Sequence, residues 1–423
     1  MRIAMITAHS PITGAACGGQ GQLLRPAVLA RALAQHGHRV TLYARRQDPA
    51  VPGTAILGAG VSVEHIKAGP ARALSPEAAA RYMPEVAAGL ADRWRIKPPD
   101  VVHAFSWSAG LAALGAVRGS SIPVVQTFES LGSIERRQTG AEVSGARVRL
   151  EASLGRTVAA VLATSEEEAT ELARLGVPKS AIRVIPAGVD TAQFKPDDVR
   201  AKANGKPRLL AFADDQARGL GAVIRALTQL PGAELTIIGG PDAKHLPRSG
   251  PFREVAQLAT ELRVRSRVTF AGEVADADLP ARLCSADVMV SATSYDPAGL
   301  AAIRAMSCGL PAVASAVGGQ RDAVIDRITG LLIAPDHPAM LVQRLRSLLA
   351  QPAMLQAYGI AAGDRARSRY SIDRIGSETA AAYERCLPRT APAQSALRQT
   401  ALPEDDLAEV LDSEDLRGVA AFA

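Results

Sequence analysis

The chain has 423 residues, enough for two domains that each bury a full core. Its residues are 48% hydrophobic but only 4% aromatic, and no apolar run approaches the ~18 residues of a membrane span, which argues against a transmembrane helix. The net charge of +6 includes no basic run interleaved with aromatics, which argues against a nucleic-acid partner.

The chain opens on the strand-like segment RIAMITA, without the long apolar stretch of a signal peptide, so a cytoplasmic protein is expected. The stretch CGGQGQ (17–22) follows, ahead of a helix. Gly18 and Gly19, with Gln20 beside them, would let backbone approach an anion at the helix N-terminus. The spacing misses the dinucleotide fingerprint, and a tight strand-to-helix turn explains it as readily. In QLLRPAVLARALAQHGH, Leu24, Val28, Leu29 and Leu33 recur at helical spacing and Gly37 supplies a C-cap. The strand-like runs HRVTLYA, VSVEHI, DVVHAF, PVVQTF, AAVLATS and IRVIPAG then alternate with helix-patterned stretches, predicting parallel strands and crossovers in a doubly wound sheet. His9 and His103, each at a strand end, are candidate general bases, although a hydrogen-bonded loop histidine is the commoner role. Asp190 is read as the cap of a short turn.

The polar stretch 195–207 reads as a linker between a first domain, 1–194, and a second, 208–370. The second repeats the alternation with RLLAFA, ELTIIGG, RVTFAGE, DVMVSA, PAVASA and GLLIAP, and with helices around 221–230, 253–263, 299–308 and 337–350. Two tandem Rossmann-like α/β domains are therefore expected, facing across a cleft with ligand at the carboxyl ends of their strands. In SYDPAGLAAIRAMSCG (294–309), Asp296 lies near the loop tip and Gly299 in the first helical turn. The N–H groups of Ala298, Gly299 and Leu300 would form an anion site that needs no side-chain charge, and ordinary helix initiation is the competing reading. A similar Gly-Gly junction recurs at 314–324. Cys17, Cys284, Cys308 and Cys386 lack metal-ligand spacing and read as reduced thiols. Residues 388–423 carry three Arg against seven Asp and Glu; that net of −4 leaves +10 on the rest, a basic body that attracts phosphates, phosphosugars or acidic surfaces. The tail reads as disordered apart from a short helix near 404–416.

The segments LARALAQHGHRVTLYARR, PPDVVHAFSW, PVVQTFESLG, VLATSEEE, RVIPAGVDTAQFKP and AMSCGLPAVASAVGGQRDAVIDRITGLLIAPD occur in an order and spacing that resembles the retaining family-4 glycosyltransferases of the GT-B fold, near their sucrose-phosphate-synthase-like bacterial members. The resemblance spans residues 1–387. It implies that a helix at 371–387 crosses back to the first domain, that a nucleotide-sugar co-substrate binds mainly the second, and that an acceptor binds the first. No cofactor or metal is expected. The family's two glutamates eight positions apart match Asp296 and Arg304, and Arg cannot accept a hydrogen bond. Its Arg and Lys beside the donor diphosphate match Ala213 and Arg218, and its histidine after the TF dipeptide matches Glu129. Losing a cation and an acceptor from a semi-buried site costs ~2–3 kcal/mol each. Arg304 swinging towards the diphosphate would offset the first loss, and Glu129 could serve as a carboxylate nucleophile. Two readings follow: a transferase with altered donor preference, or a catalytically silent homologue acting as partner, regulator or ligand sensor. The acidic tail leaves a protein partner open, as the basic body leaves peripheral membrane contact.

Overall fold

The computed structural model describes residues 1–7, 25–74, 76–197, 205–214, 216–246 and 250–388, which fall into two compact units. Among the described residues, the first holds those up to Pro186 together with those from Ile375, and the second holds those from Ala187 to Arg374. Among the described residues no helix is long and apolar enough to cross a membrane. Gly18, Gly19 and Gln20, His9 and Cys17, and the helix expected near 404–416 lie outside the described residues.

In chain order the first unit carries β1 (Arg2–Thr7), α1 (Arg25–Gln35), β2 (Arg39–Arg45), β3 (Thr54–Gly58), β4 (Val61–Ile66), α2 (Pro76–Ala80), α3 (Met83–Ile96), β5 (Val101–Phe105), α4 (Trp107–Ala116), β6 (Val124–Thr127), α5 (Gly132–Thr139), α6 (Gly145–Thr157), β7 (Ala160–Ala163), α7 (Glu166–Arg174) and β8 (Ile182–Val184). The strand order is β3-β4-β2-β1-β5-β6-β7-β8, parallel throughout except for the antiparallel β3–β4 hairpin at one edge. Burial on both faces explains the near-continuous apolar runs of β1 and β5. Sequence order reverses between β1 and β5, which places a crevice at their carboxyl ends.

The second unit carries β9 (Arg208–Phe212), α8 (Leu220–Leu227), β10 (Glu234–Ile238), α9 (Gly250–Glu261), β11 (Val268–Gly272), α10 (Leu279–Cys284), β12 (Val288–Ser291), α11 (Leu300–Ser307), β13 (Ala312–Ser315), α12 (Gly318–Ala323), β14 (Gly330–Ile333), α13 (Pro338–Leu349) and α14 (Pro352–Arg369). Its six strands are all parallel in the order β11-β10-β9-β12-β13-β14, the arrangement of a dinucleotide-binding sheet, with its reversal between β9 and β12. One face packs α8, α9 and α13 through residues such as Val223, Leu227, Phe252 and Leu345. The other packs α10 and α11 through Leu283, Ile303 and Met306, with Ala362 and Ala366 of α14.

The boundary between units lies at Pro186/Ala187, ahead of the expected 195–207 linker. Residues 187–194 belong to the second unit because their backbone and side chains are tied there. Val189 bridges to Ser371, the Ser307 hydroxyl donates to the Phe194 carbonyl, and Gln193 Nε2 donates to the Asp276 carbonyl at 2.7 Å. Asp190 caps its turn, accepting from the N–H groups of Ala192 and Gln193. Helix α15 (Ile372–Cys386) clusters with the first unit from Ile375 onward, burying Ile375, Thr379 and Tyr383.

Candidate active site

In the second unit the loops 213–219 and 292–299 leave the carboxyl ends of β9 and β12, the two strands that flank the reversal. The Asp296 carboxylate is the hub of the second loop. Its Oδ1 accepts from the Gly299 N–H at 2.8 Å, and its Oδ2 accepts from Gln320 Nε2 at 2.8 Å. Gln320 Nε2 also donates to Ser291 Oγ at 2.7 Å, so one amide ties β12, the Asp296 loop and α12 together. Burial pushes the Asp296 carboxyl above the usual carboxylate range; donors from Gln320, Gly299 and Ala298 oppose this, and the nearby Asp214 carboxylate reinforces it.

This geometry corrects the expectation of an open anion site at 298–300. The N–H groups of Ala298 and Gly299 are directed at the Asp296 carboxylate, in the turn that leads into α11, while α11 itself starts on Gly299 without a side-chain cap. Ala298 and Leu300 are buried. The Gly-Gly junction at 314–324 is likewise turned inward. Gly299 has φ +64°, and a methyl there would collide with the Gly319 carbonyl; a methyl on Gly319 would collide with Ala298 in return. These two glycines let the loops pack backbone on backbone, with the Gly319 N–H donating to the Asp296 carbonyl at 3.0 Å.

Arg304 does not swing towards the helix mouth. It is 7% exposed, its Nη2 lies 2.9 Å from Asp276 Oδ1, and its guanidinium stacks 5.0 Å from the Phe194 ring centroid. A buried cation takes such a pairing because an unpaired charge is costly to desolvate. Asp276 Oδ1 is itself buried in this pair, while the Asp276 side chain as a whole is partly exposed. Arg218 is also held, its Nε 2.7 Å from Asp214 Oδ2, while Ala213 is buried.

In the first unit His103 is 1% exposed, with Nδ1 2.7 Å from the Tyr383 hydroxyl and Nε2 3.0 Å from Thr127 Oγ1. Burial, aided by the Arg25 charge, pulls its pKa down to about 3. A neutral histidine with both nitrogens engaged in the core is a structural tie to α15, which corrects its assignment as a general base. Glu129 differs. It follows β6 at φ +62°, a left-handed backbone that a non-glycine residue rarely adopts, and it is half-buried. Burial and the Glu168 carboxylate push its pKa up to about 7 against the Arg25 cation. Glu168, itself buried, accepts at Oε2 from Thr164 N and Oγ1 at 2.7 and 2.6 Å. Ser106, at φ +83°, marks a second strained backbone at the end of the neighbouring β5.

Residues 26–193 match the family described as Glycosyltransferase Family 4, and residues 199–365 the one described as Glycosyl transferases group 1. A D-inositol 3-phosphate glycosyltransferase of Xylanimonas cellulosilytica is 31% identical over 412 residues, covering 90% of this chain and 94% of its own. This chain belongs to the family-4 glycosyltransferases. The Catenulispora acidiphila D-inositol 3-phosphate glycosyltransferase 1 is 30% identical over 351 residues, covering 78% of this chain and 82% of its own. Sucrose-phosphate synthase from Thermosynechococcus elongatus superposes with a TM-score of 0.84 at 26% identity, covering 91% of this chain and 98% of its own. HepE of Anabaena, solved with UDP and glucose, shares the fold with a TM-score of 0.70 at 19% identity, over 91% of this chain and 99% of its own. The architecture is thus GT-B, two Rossmann-like units in tandem. Against that family background the sequence missed Asp276, Gln320, Arg25 and Glu168. Gln320 follows a Gly-Gly pair and so had a signal; Asp276 sits in the acidic run EVADAD with nothing to single it out.

Proposed function

We propose that this family-4 chain transfers a sugar from a nucleotide-sugar donor, with retention, to a hydroxyl of a phosphorylated polyol or sugar. The donor binds the second unit. Asp296 supplies a carboxylate fixed by Gln320 and two N–H groups, and Arg218 supplies the cation once a diphosphate displaces Asp214. Asp276, whose side chain is partly exposed where Arg304 is buried, is the carboxylate that accepts from a nucleotide hydroxyl, since a guanidinium cannot accept. The acceptor class follows from the relatives, whose names specify an inositol phosphate and a sucrose phosphate, and from the +10 charge outside the tail. Glu129, titrating near 7 beside Arg25, is the first unit's proton-transfer group.

The observation that carries this reading is the intact Asp296–Gln320–Ser291 junction beside the β9/β12 reversal. The test is calorimetry with UDP, GDP, ADP and their sugars, followed by anomeric proton NMR of product formed on inositol phosphates and hexose phosphates. One nucleotide binding at micromolar Kd and an α-to-α or β-to-β product are expected. A second reading, a silent homologue, is favoured by the two occupied guanidinium groups, Arg218 and Arg304. Absence of binding by every nucleotide at millimolar concentration would replace the first reading with it.

A further inference from the structure

A cavity of about 150 Å³ opens between the starts of α8 and α13. Ser315, the last residue of β13, lines it. Its hydroxyl is fully buried and meets no hydrogen-bond partner among the described residues. Leaving a hydroxyl so is unfavourable, and the preceding Ala312, Val313 and Ala314 are buried without one. Strand alternation puts Ser315 on the same face as Val313, which packs beneath α8 and α13. The hydroxyl therefore points at the gap between the two helix starts.

Both helix starts favour negative charge. Helix α8 begins at Gly219 without a side-chain cap, and α13 begins at His337, whose Nδ1 accepts from the Met340 N–H. Ser294 adds a second hydroxyl and Arg218 a cation, while the Asp336 carboxylate at the exposed rim opposes them. The Asp296–Gly299 turn leads instead into α11, whose Leu300, Ile303 and Met306 pack on the opposite face of the sheet.

We propose that this cavity is a second anion site, taking the phosphate group of inorganic phosphate or of a phosphate monoester, distinct from the Asp296 carboxylate although Ser294 of the same loop lines it. The ligand would accept from Ser315 and Ser294 and sit against the first turns of α8 and α13. A transferase acting between phosphorylated molecules would then sense phosphate through Arg218, whose side chain borders the cavity and pairs with Asp214. Arg218 is shared with the proposed donor site, so phosphate binding is measured without nucleotide and judged on the cavity residues Ser315 and Ala222.

The test titrates the whole protein with inorganic phosphate, and separately with a hexose monophosphate, by calorimetry at constant ionic strength. One site is expected. Ser315→Ala and Ala222→Leu, of which the first removes the hydroxyl and the second fills the space, should each weaken phosphate at least tenfold. Ser315→Ala should melt no lower than wild type in chloride buffer, since it removes an orphaned hydroxyl, and this keeps the binding result separate from misfolding. Tighter binding of the monoester would name it as the ligand; equal binding would name free phosphate. No phosphate binding, or wild-type phosphate affinity in both cavity variants, would overturn the second site.

Discussion

Glu129 combines a left-handed backbone with a carboxyl that titrates near 7, and the two have separable consequences. A carboxyl whose folded pKa lies above its unfolded value near 4.5 holds a proton in the folded state that the unfolded chain releases. Stability is therefore full below about 4.5, falls as pH rises to about 7, and is level above that. Glu129→Gln should leave the melting curve unchanged at pH 4.5 and stabilise the protein by ~1–3 kcal/mol at pH 8, read by urea titration at both values. If Glu129 takes the acceptor proton, wild-type kcat/KM rises through pH 7 and the Gln variant loses both that limb and ~10²-fold in rate. Arg304 and Asp276 form the other residue-level test. Arg304→Glu sets two carboxylates against each other and should cost ~3–5 kcal/mol, and adding Asp276→Arg should restore at least half of it, measured as a double-mutant cycle. Stability unchanged in Arg304→Glu would mean that the ion pair is not held as seen.

At the scale of elements, α15 is fixed to the first unit through Tyr383, whose hydroxyl contacts His103 Nδ1 across 280 residues of sequence. Tyr383→Phe should cost ~1–3 kcal/mol because it strands a buried ring nitrogen, and amide exchange in α15 should quicken more than in α11. What the sequence revealed of such elements depended on how they are buried. Strands β1, β5 and β13, covered on both faces, announced themselves as short apolar runs, and α1 did so through Leu29 and Leu33. Helix α14 went unread because its buried face is Gly359, Ala362, Gly363 and Ala366, a seam of small residues with no apolar stripe. Strand β3 went unread because it is an edge strand whose Ile56 faces solvent. The candidate site was legible where it lies in one loop, as for Asp296 and Gly299. Arg304 was misread, since its partner Asp276 is 28 positions upstream and only the fold brings the two together.

For the whole molecule, charge is the property that the proposed acceptor tests. The chain outside 388–423 carries +10, and a basic surface draws in a dianionic phosphate over distances comparable to the Debye length. That length is ~14 Å near 0.05 M salt and ~4 Å near 0.5 M, so long-range attraction is largely removed between these conditions. If the acceptor is a phosphorylated polyol or sugar, its KM should rise ~5–10-fold across that range while kcat holds, because salt weakens capture without touching the bound geometry. The unphosphorylated polyol is the control and should show a KM that moves less than ~2-fold over the same range. Parallel salt dependence for both acceptors would remove charge as the basis of acceptor choice and return the question to the shape of the first unit's site, where Glu129 and Ser106 sit on strained backbone.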